Sequence, residues 1–242
     1  MKDPTNSIKT KITNITNKLH KQQKISTQTK YELVSIEELA RIRGQPKLHK
    51  PEHPMRIITS IRYTITTPIS KLIYSIIKPL RETIQNTINN TNNFIRQISH
   101  ITLEENEALA SLDIEDLYNN IPITRSIDIA INRIENIKTF QESPFTKTDI
   151  KQMLMLALNN SYSKFNGTYY RQKRGLPMGS NLSPILADLY MDEYMNKNMK
   201  EVNKQHKIWR YVDDILIITK MNENERIHKQ IKQNKRKHKI HL

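Results

Sequence analysis

An α+β fold, with antiparallel sheet packed on helices, is predicted from three features of this sequence. Several stretches repeat apolar residues at helical spacing, the clearest being Ile69, Leu72, Ile73, Ile76, Ile77 and Leu80. Two pairs of β-type runs are folded back by two turn-forming residues, at Asn166-Gly167 and at Asp213-Asp214. A further apolar run, residues 108–114, has the character of a buried strand.

Taken in order, Asp3-Pro4 caps a first helix with a narrow stripe of Ile8, Ile12, Ile15 and Leu19. The polar stretch HKQQKISTQTK reads as a linker, closing an N-terminal unit of residues 1–30. Residues 41–60 are dense in proline and positive charge and end in a short β-like run. Within them His49, Glu52 and His53 spell H-x-x-E-H, a zinc-protease pattern, but Pro51 and Pro54 forbid the helix that this chemistry needs. Thr67 caps the next helix at Pro68, and its six-residue stripe reads as core packing. An Asn-rich interval and a short helix at 94–98 complete a second unit, residues 31–100.

The third unit, residues 101–242, opens with strand 108–114, with Asp113 near its end. Thr124 then caps a helix that turns Ile127, Ile131, Ile134 and Ile137 inward, and Thr148 caps another, DIKQMLMLALNN. Asn166-Gly167 joins SYSKF to TYYRQ as a type I′ hairpin. RGLPMGSNLS is a loop, Ser183-Pro184 caps a helix through ILADLYMDEYM, and WRYVDDILIIT forms the hairpin tipped by Asp213 and Asp214. The final QIKQNKRKHKIHL is strongly basic. Gly44, Gly167, Gly175 and Gly179 are the only glycines, and all fall in expected loops or turns.

Composition narrows the function classes. At 242 residues with 36% hydrophobic content, the chain can bury a sizeable core, although its mean hydropathy is −0.67. A formal net charge of +15 and a pI near 9.8 favour a polyanionic partner such as nucleic acid. Cysteine is absent, which excludes disulfides and thiolate metal sites and fits an intracellular compartment. The start, MKDPTNSIKT, lacks the apolar core of a signal peptide, and no apolar run approaches the roughly 20 residues that cross a bilayer, so no membrane partner is expected.

The chemistry concentrates on carboxylates. Asp113 ends one strand, and Asp213 and Asp214 tip a hairpin. Acids carried on two strands suit two-metal phosphoryl transfer: hard Mg²⁺ prefers oxygen ligands, and two ions about 4 Å apart clamp the attacking and leaving oxygens. An isolated Asp-Asp turn is more commonly a solvated surface turn, and it gains meaning here from Asp113 and the glycine-bearing loop. Because successive strand side chains point to opposite faces, Asp113 and Asp213 are expected to bridge the metals, with Asp214 as a third ligand.

SLDIEDLY, RGLPMGSNLSPILADLYM and RYVDDILII, in that order, resemble motifs A, B and C of reverse transcriptases. RIRGQPKLHKPEHPMR resembles the finger segment of the Penelope-like retroelement group, which is related to telomerase, and FNGTYYRQKRGLPMGS resembles that group's hairpin leading into motif B. The resemblance implies a right-hand polymerase fingers and palm. It implies RNA-directed DNA synthesis on an RNA template and DNA primer with dNTP, two Mg²⁺ ions (or Mn²⁺), and a nuclear location. Asp113, Asp213 and Asp214 would be the catalytic metal ligands, and Tyr118 the steric gate against a ribose 2′-OH. Arg56, with Lys47 and Lys50, would reach the triphosphate, and Met178 and Gly179 would contact the nucleotide. Gln172, Gly175, Ser180 and Ser183 would serve template and primer.

Two positions depart from the pattern: Ile57 follows Arg56 where proline is usual, and Asn181 stands where proline is common. The sequence ends soon after motif C, so a chain truncated there, without its thumb, is expected. This leaves open a remnant that binds nucleic acid without extending a primer, and a different reverse-transcriptase lineage such as telomerase or a group II intron protein.

Overall fold

The computed structural model describes residues 2–48, 51–85, 87–88, 90–198 and 207–220. The first helix, α1 (Thr5–Lys21), buries Ile8, Ile12 and Leu19 as its stripe requires, and the Asp3 carboxylate accepts the Thr5 N–H at 2.9 Å. The polar stretch after it is not all linker. Ser26 accepts the Thr29 N–H and starts α2 (Thr27–Leu33), so a side-chain cap nucleates a turn that composition alone disguised.

The proline-rich segment forms an antiparallel hairpin of two strands, β1 (Ala40–Pro46) and β2 (Met55–Ser60), where the sequence signalled only the second. Gly44 therefore lies in a strand, opposite Ile57, rather than in a loop. Glu52 and His53 both adopt left-handed backbone, which no helix tolerates, so the H-x-x-E-H pattern has no helical face. His49 and Lys50 lie outside the described residues, as does the basic stretch at 230–242.

Helix α3 (Thr67–Ile77) continues into a 3-10 turn (Lys78–Thr83) and buries Ile69, Ile73, Ile76, Ile77 and Leu80. Its N-cap is Thr66; Thr67 instead uses its hydroxyl to accept the Thr64 N–H and to donate to the Ile61 carbonyl. After α4 (Thr91–Ile98) comes β3 (Glu107–Asp113). This strand is not buried: it is an edge strand with alternating exposure, and Leu109 is 51% exposed.

Helices α5 (Leu117–Asn120) and α6 (Ile123–Arg133), a 3-10 turn (Ile134–Asn136), α7 (Lys138–Gln141) and α8 (Lys147–Asn159) follow. Pro122 rather than Thr124 precedes α6, and Thr146 rather than Thr148 caps α8, in a capping box closed by Asp149. The Asn-Gly hairpin joins β4 (Tyr162–Phe165) to β5 (Thr168–Arg171), with φ of 44° and 75° at its two turn residues, as type I′ demands. Helix α9 (Leu182–Asn198) and strands β6 (Lys207–Tyr211) and β7 (Asp214–Lys220) complete the described elements.

Two sheets result. One is mixed, ordered β2-β1-β4-β5, with β1 parallel to β4; the other is antiparallel, ordered β3-β7-β6. The sheets are joined by a helical core in which α6 packs on α8 and α9, and α3 on α8. Helix α9 is apolar nearly all round, with Ile185, Leu186, Leu189 and Met191 at 0–1% exposure, and serves as the central rod of the fold. No described helix is long and apolar enough to cross a membrane.

Candidate active site

The antiparallel sheet brings the acids together. Register sets Asp113, the last residue of β3, directly opposite Asp214, the first of β7, so the two share one face of the sheet. Asp214 is also opposite Tyr211. The two-residue turn is thus Val212-Asp213, one position earlier than the Asp-Asp pair suggested, because Asp214 already belongs to the ladder. Val212 carries φ of 54°, a left-handed conformation that is strained for a β-branched residue. The Asp213 carbonyl accepts the Ile114 N–H at 3.1 Å, which ties the turn to the residue after Asp113.

All three acids are exposed, and among the described residues no cation pairs with them. Burial, then the charges of Asp213 and Asp113, push the Asp214 carboxyl above its ordinary value. Among the described residues no three Asp, Glu or His side chains converge on one point as they stand. The donor set nevertheless fits a hard divalent cation: three hard oxygen ligands, mutually repelling, with no internal positive charge. The opposite face of the same sheet carries Ile215 and Ile217 into the core, which anchors the acids to a rigid base.

The glycine-bearing loop is sewn to α5, the short helix that follows the acid strand. Leu176 donates its N–H to the Tyr118 carbonyl at 2.7 Å. A Cβ on Gly175, whose φ is +80°, would sit 2.5–2.6 Å from the Asn119 backbone, so only glycine lets the two segments meet. Gln172 donates its side-chain amide to the carbonyls of Arg174, Gly175 and Leu176. Ser183 is buried and donates to the Pro177 carbonyl at 2.6 Å, while the Ser180 hydroxyl accepts the Leu182 N–H at 3.3 Å. At the far end of the loop a Cβ on Gly179 would run into the Thr59 carbonyl, so the loop also abuts the end of β2. Met178, between the two glycines, is half-buried. Asn181 donates to the Ser70 carbonyl of α3 at 3.4 Å, a bond that a proline there could not make.

Tyr118 is half-buried on α5, and burial, then the Asp188 and Asp213 carboxylates, push its hydroxyl above its ordinary value. Of the three acids, Asp213 is thus near enough for its charge to act on this hydroxyl. Lys47 and Arg56 are on the β1–β2 hairpin, Arg56 opposite Gln45 and the Lys47 N–H bonded to the Pro54 carbonyl at 3.0 Å. An exposed row crosses the mixed sheet beside Arg41: Lys164 is its parallel neighbour and lies 5.5 Å from the Tyr169 ring centroid.

Over residues 48–242 the sequence matches the family described as "Reverse transcriptase (RNA-dependent DNA polymerase)". The chain belongs to the reverse-transcriptase family. Among curated relatives it is 32% identical over 74 residues to telomerase reverse transcriptase of Rattus norvegicus, covering 31% of this chain and 7% of that protein. It is 30% identical over 100 residues to the same enzyme of Euplotes aediculatus, covering 36% and 9%.

Among solved structures, apo telomerase of Candida tropicalis truncated from its C-terminal domain aligns with a TM-score of 0.55 at 16% identity, covering 80% of this chain and 46% of that one. Telomerase of Candida albicans, in complex with a TWJ fragment of telomeric RNA, aligns at 0.56 and 13% identity, covering 85% and 41%. This reverse-transcriptase chain thus spans a tenth or less of the curated relatives and under half of the solved chains, and the structural likeness speaks to the fold. That fold is α+β, with mixed and antiparallel sheets packed on helices as in the fingers-palm region of telomerase. Two residues of this member of the reverse-transcriptase family were not singled out from its sequence: Arg210, buried beneath the Val212-Asp213 turn, and Asp188, which pairs with it. The available signal was a lone charge on the inward face of an apolar hairpin.

Proposed function

We propose that this chain is the fingers and palm of an RNA-directed DNA polymerase that adds dNTPs to a primer 3′-OH, from a retroelement of the Penelope-like group. The observation that carries this reading is the register of Asp113 opposite Asp214, with Asp213 in the adjoining turn. Residues 1–30 form the N-terminal unit of this arrangement, 31–100 the fingers-like unit and 101–242 the palm. The Penelope-like assignment rests on the finger segment RIRGQPKLHKPEHPMR and the hairpin before motif B; telomerase relatives fit it, since the two groups are akin. Such an element would use nuclear DNA as its primer.

Asp113, Asp213 and Asp214 would hold two Mg²⁺, with Mn²⁺ as a substitute. Bound there, the metal would supply Lewis acidity to the attacking and leaving oxygens of an in-line displacement. The chain's own residues do the rest. Tyr118, beside Asp213, closes the space where a ribose 2′-OH would sit. Lys47 and Arg56, on the hairpin that the glycine loop abuts, offset triphosphate charge. Met178 and Gly179 face the nascent pair, while Gln172, Gly175, Ser180 and Ser183 act on template and primer by fixing the shape of the loop.

Primer extension on poly(rA)/oligo(dT) with dTTP and Mg²⁺ tests this reading, wild type beside Asp213→Asn. Incorporation by wild type alone is expected. Equal, salt-sensitive RNA binding by both proteins with no incorporation by either would overturn the reading in favour of a nucleic-acid-binding remnant.

A further inference from the structure

Beneath the catalytic turn lies a buried charge that the acids themselves do not require. Arg210 on β6 is 1% exposed and faces the core, opposite Ile215. Its Nη1 donates to the Val212 carbonyl at 2.8 Å and lies 3.3 Å from Asp188 Oδ1 on α9. The other oxygen of Asp188 is 3.8 Å from Arg81. Arg210 Nη2 is buried with no hydrogen-bond partner among the described residues. The backbone of Arg210 is held as well: its carbonyl accepts the Ile88 N–H at 2.8 Å and the Thr87 hydroxyl at 3.3 Å.

A buried guanidinium with a bond left unmade is a poor way to stabilise a sheet, since an apolar side chain of similar volume often does as well or better. What Arg210 does accomplish is local. Val212 sits at φ 54°, a conformation that persists only where its surroundings enforce it. The bond from Arg210 to the Val212 carbonyl is that enforcement, and Asp188 ties it to the most buried helix of the fold.

We infer that Arg210, braced by Asp188, is a positioning residue: it holds the strained Val212-Asp213 turn in the shape that presents the Asp213 and Asp214 carboxylates to divalent metal. This rests on the reading of those acids as metal ligands. The test is therefore metal binding rather than turnover, by Mn²⁺ electron paramagnetic resonance titration of the 242-residue chain. Wild type, Asp213→Asn, Arg210→Met, Arg210→Lys and Asp188→Asn are compared, with far-UV circular dichroism and thermal unfolding as controls for folding.

Wild type binds Mn²⁺ and Asp213→Asn loses it. Arg210→Met and Asp188→Asn weaken Mn²⁺ affinity about tenfold or more while remaining folded, as loss of a group that orients a ligand does. Arg210→Lys keeps the charge but not the fork, and falls between. Adding Val212→Gly to Arg210→Met recovers part of the loss, because glycine adopts positive φ freely. Should Arg210→Met fail to fold, Asp188→Asn decides, since it leaves Arg210 and its bond to the Val212 carbonyl in place. Wild-type binding with folded Arg210→Met or Asp188→Asn within about twofold of it would overturn the inference alone, well short of the effect expected of an orienting group. No Mn²⁺ binding by wild type would overturn the metal-site reading, and the inference with it.

Discussion

At the scale of single residues, glycine and carboxylate positions carry the sharpest expectations. Gly175→Ala meets both a positive φ and the Asn119 backbone, which cannot yield as a flexible side chain would. It is expected to cost about 2–4 kcal/mol in urea unfolding. Gly167→Ala also faces positive φ but nothing within 4 Å, and should cost only about 1–2 kcal/mol. Asp149 is a different case. Burial works to raise its carboxyl, but hydrogen bonds from Lys24 and from the Thr146 backbone and hydroxyl outweigh burial and hold it below 3.8. A depressed folded value means that its contribution is present above pH about 3.8 and lost as pH falls through the folded value. Asp149→Asn should therefore lower stability at pH 7 by about 1–2 kcal/mol, and flatten the acid limb of a thermal-stability profile below pH 4.

At the scale of elements, the contrast lies between the central helix and the edge strand. Leu186 on α9 is 0% exposed within the main core, and Leu186→Ala should cost about 2–5 kcal/mol in the same urea measurement. Leu109 on β3 is half exposed at a sheet edge, and Leu109→Lys should change stability by no more than about 0.5 kcal/mol. The same substitution should lower self-association seen by light scattering, because an inserted lysine blunts edge-to-edge pairing. Had β3 been a buried strand, as its apolar run suggested, the lysine would unfold it. Apolar character could not distinguish the two: Ala108, Ala110 and Leu112 face inward while Leu109 and Ser111 face out, and the run reads the same in either setting.

At the scale of the whole molecule, a net charge of +15 governs association. Exposed Arg41, Arg43, Lys164, Arg171, Lys173 and Arg174 cluster on the mixed sheet and the chain leaving it. RNA affinity should fall linearly on logarithmic axes as salt rises, with a slope near one per phosphate contacted. Lys173→Gln with Arg174→Gln should reduce that slope by about two and weaken all sequences alike. A binding isotherm that ignores salt would contradict this.

Much of the site was legible because its signals are local. Asn166-Gly167 needs only its own backbone preferences to turn, the stripe from Ile69 to Leu80 needs only helical periodicity, and the acids lie at strand ends that hydrophobic runs mark. The sequence by itself therefore determined the longer helices, the hairpins at Asn166-Gly167 and at the acid pair, the family and the three candidate acids. Tertiary structure alone decided the rest. It placed β1 parallel to β4 across more than a hundred residues, made β3 an edge, and moved the acid-bearing turn to Val212-Asp213. It also set Asn119 against Gly175 and Asp188 against Arg210. The physical reason is one of range: turn and helix preferences are written in neighbouring residues, whereas pairing, burial and the partner of a buried charge depend on which distant segments the core brings together.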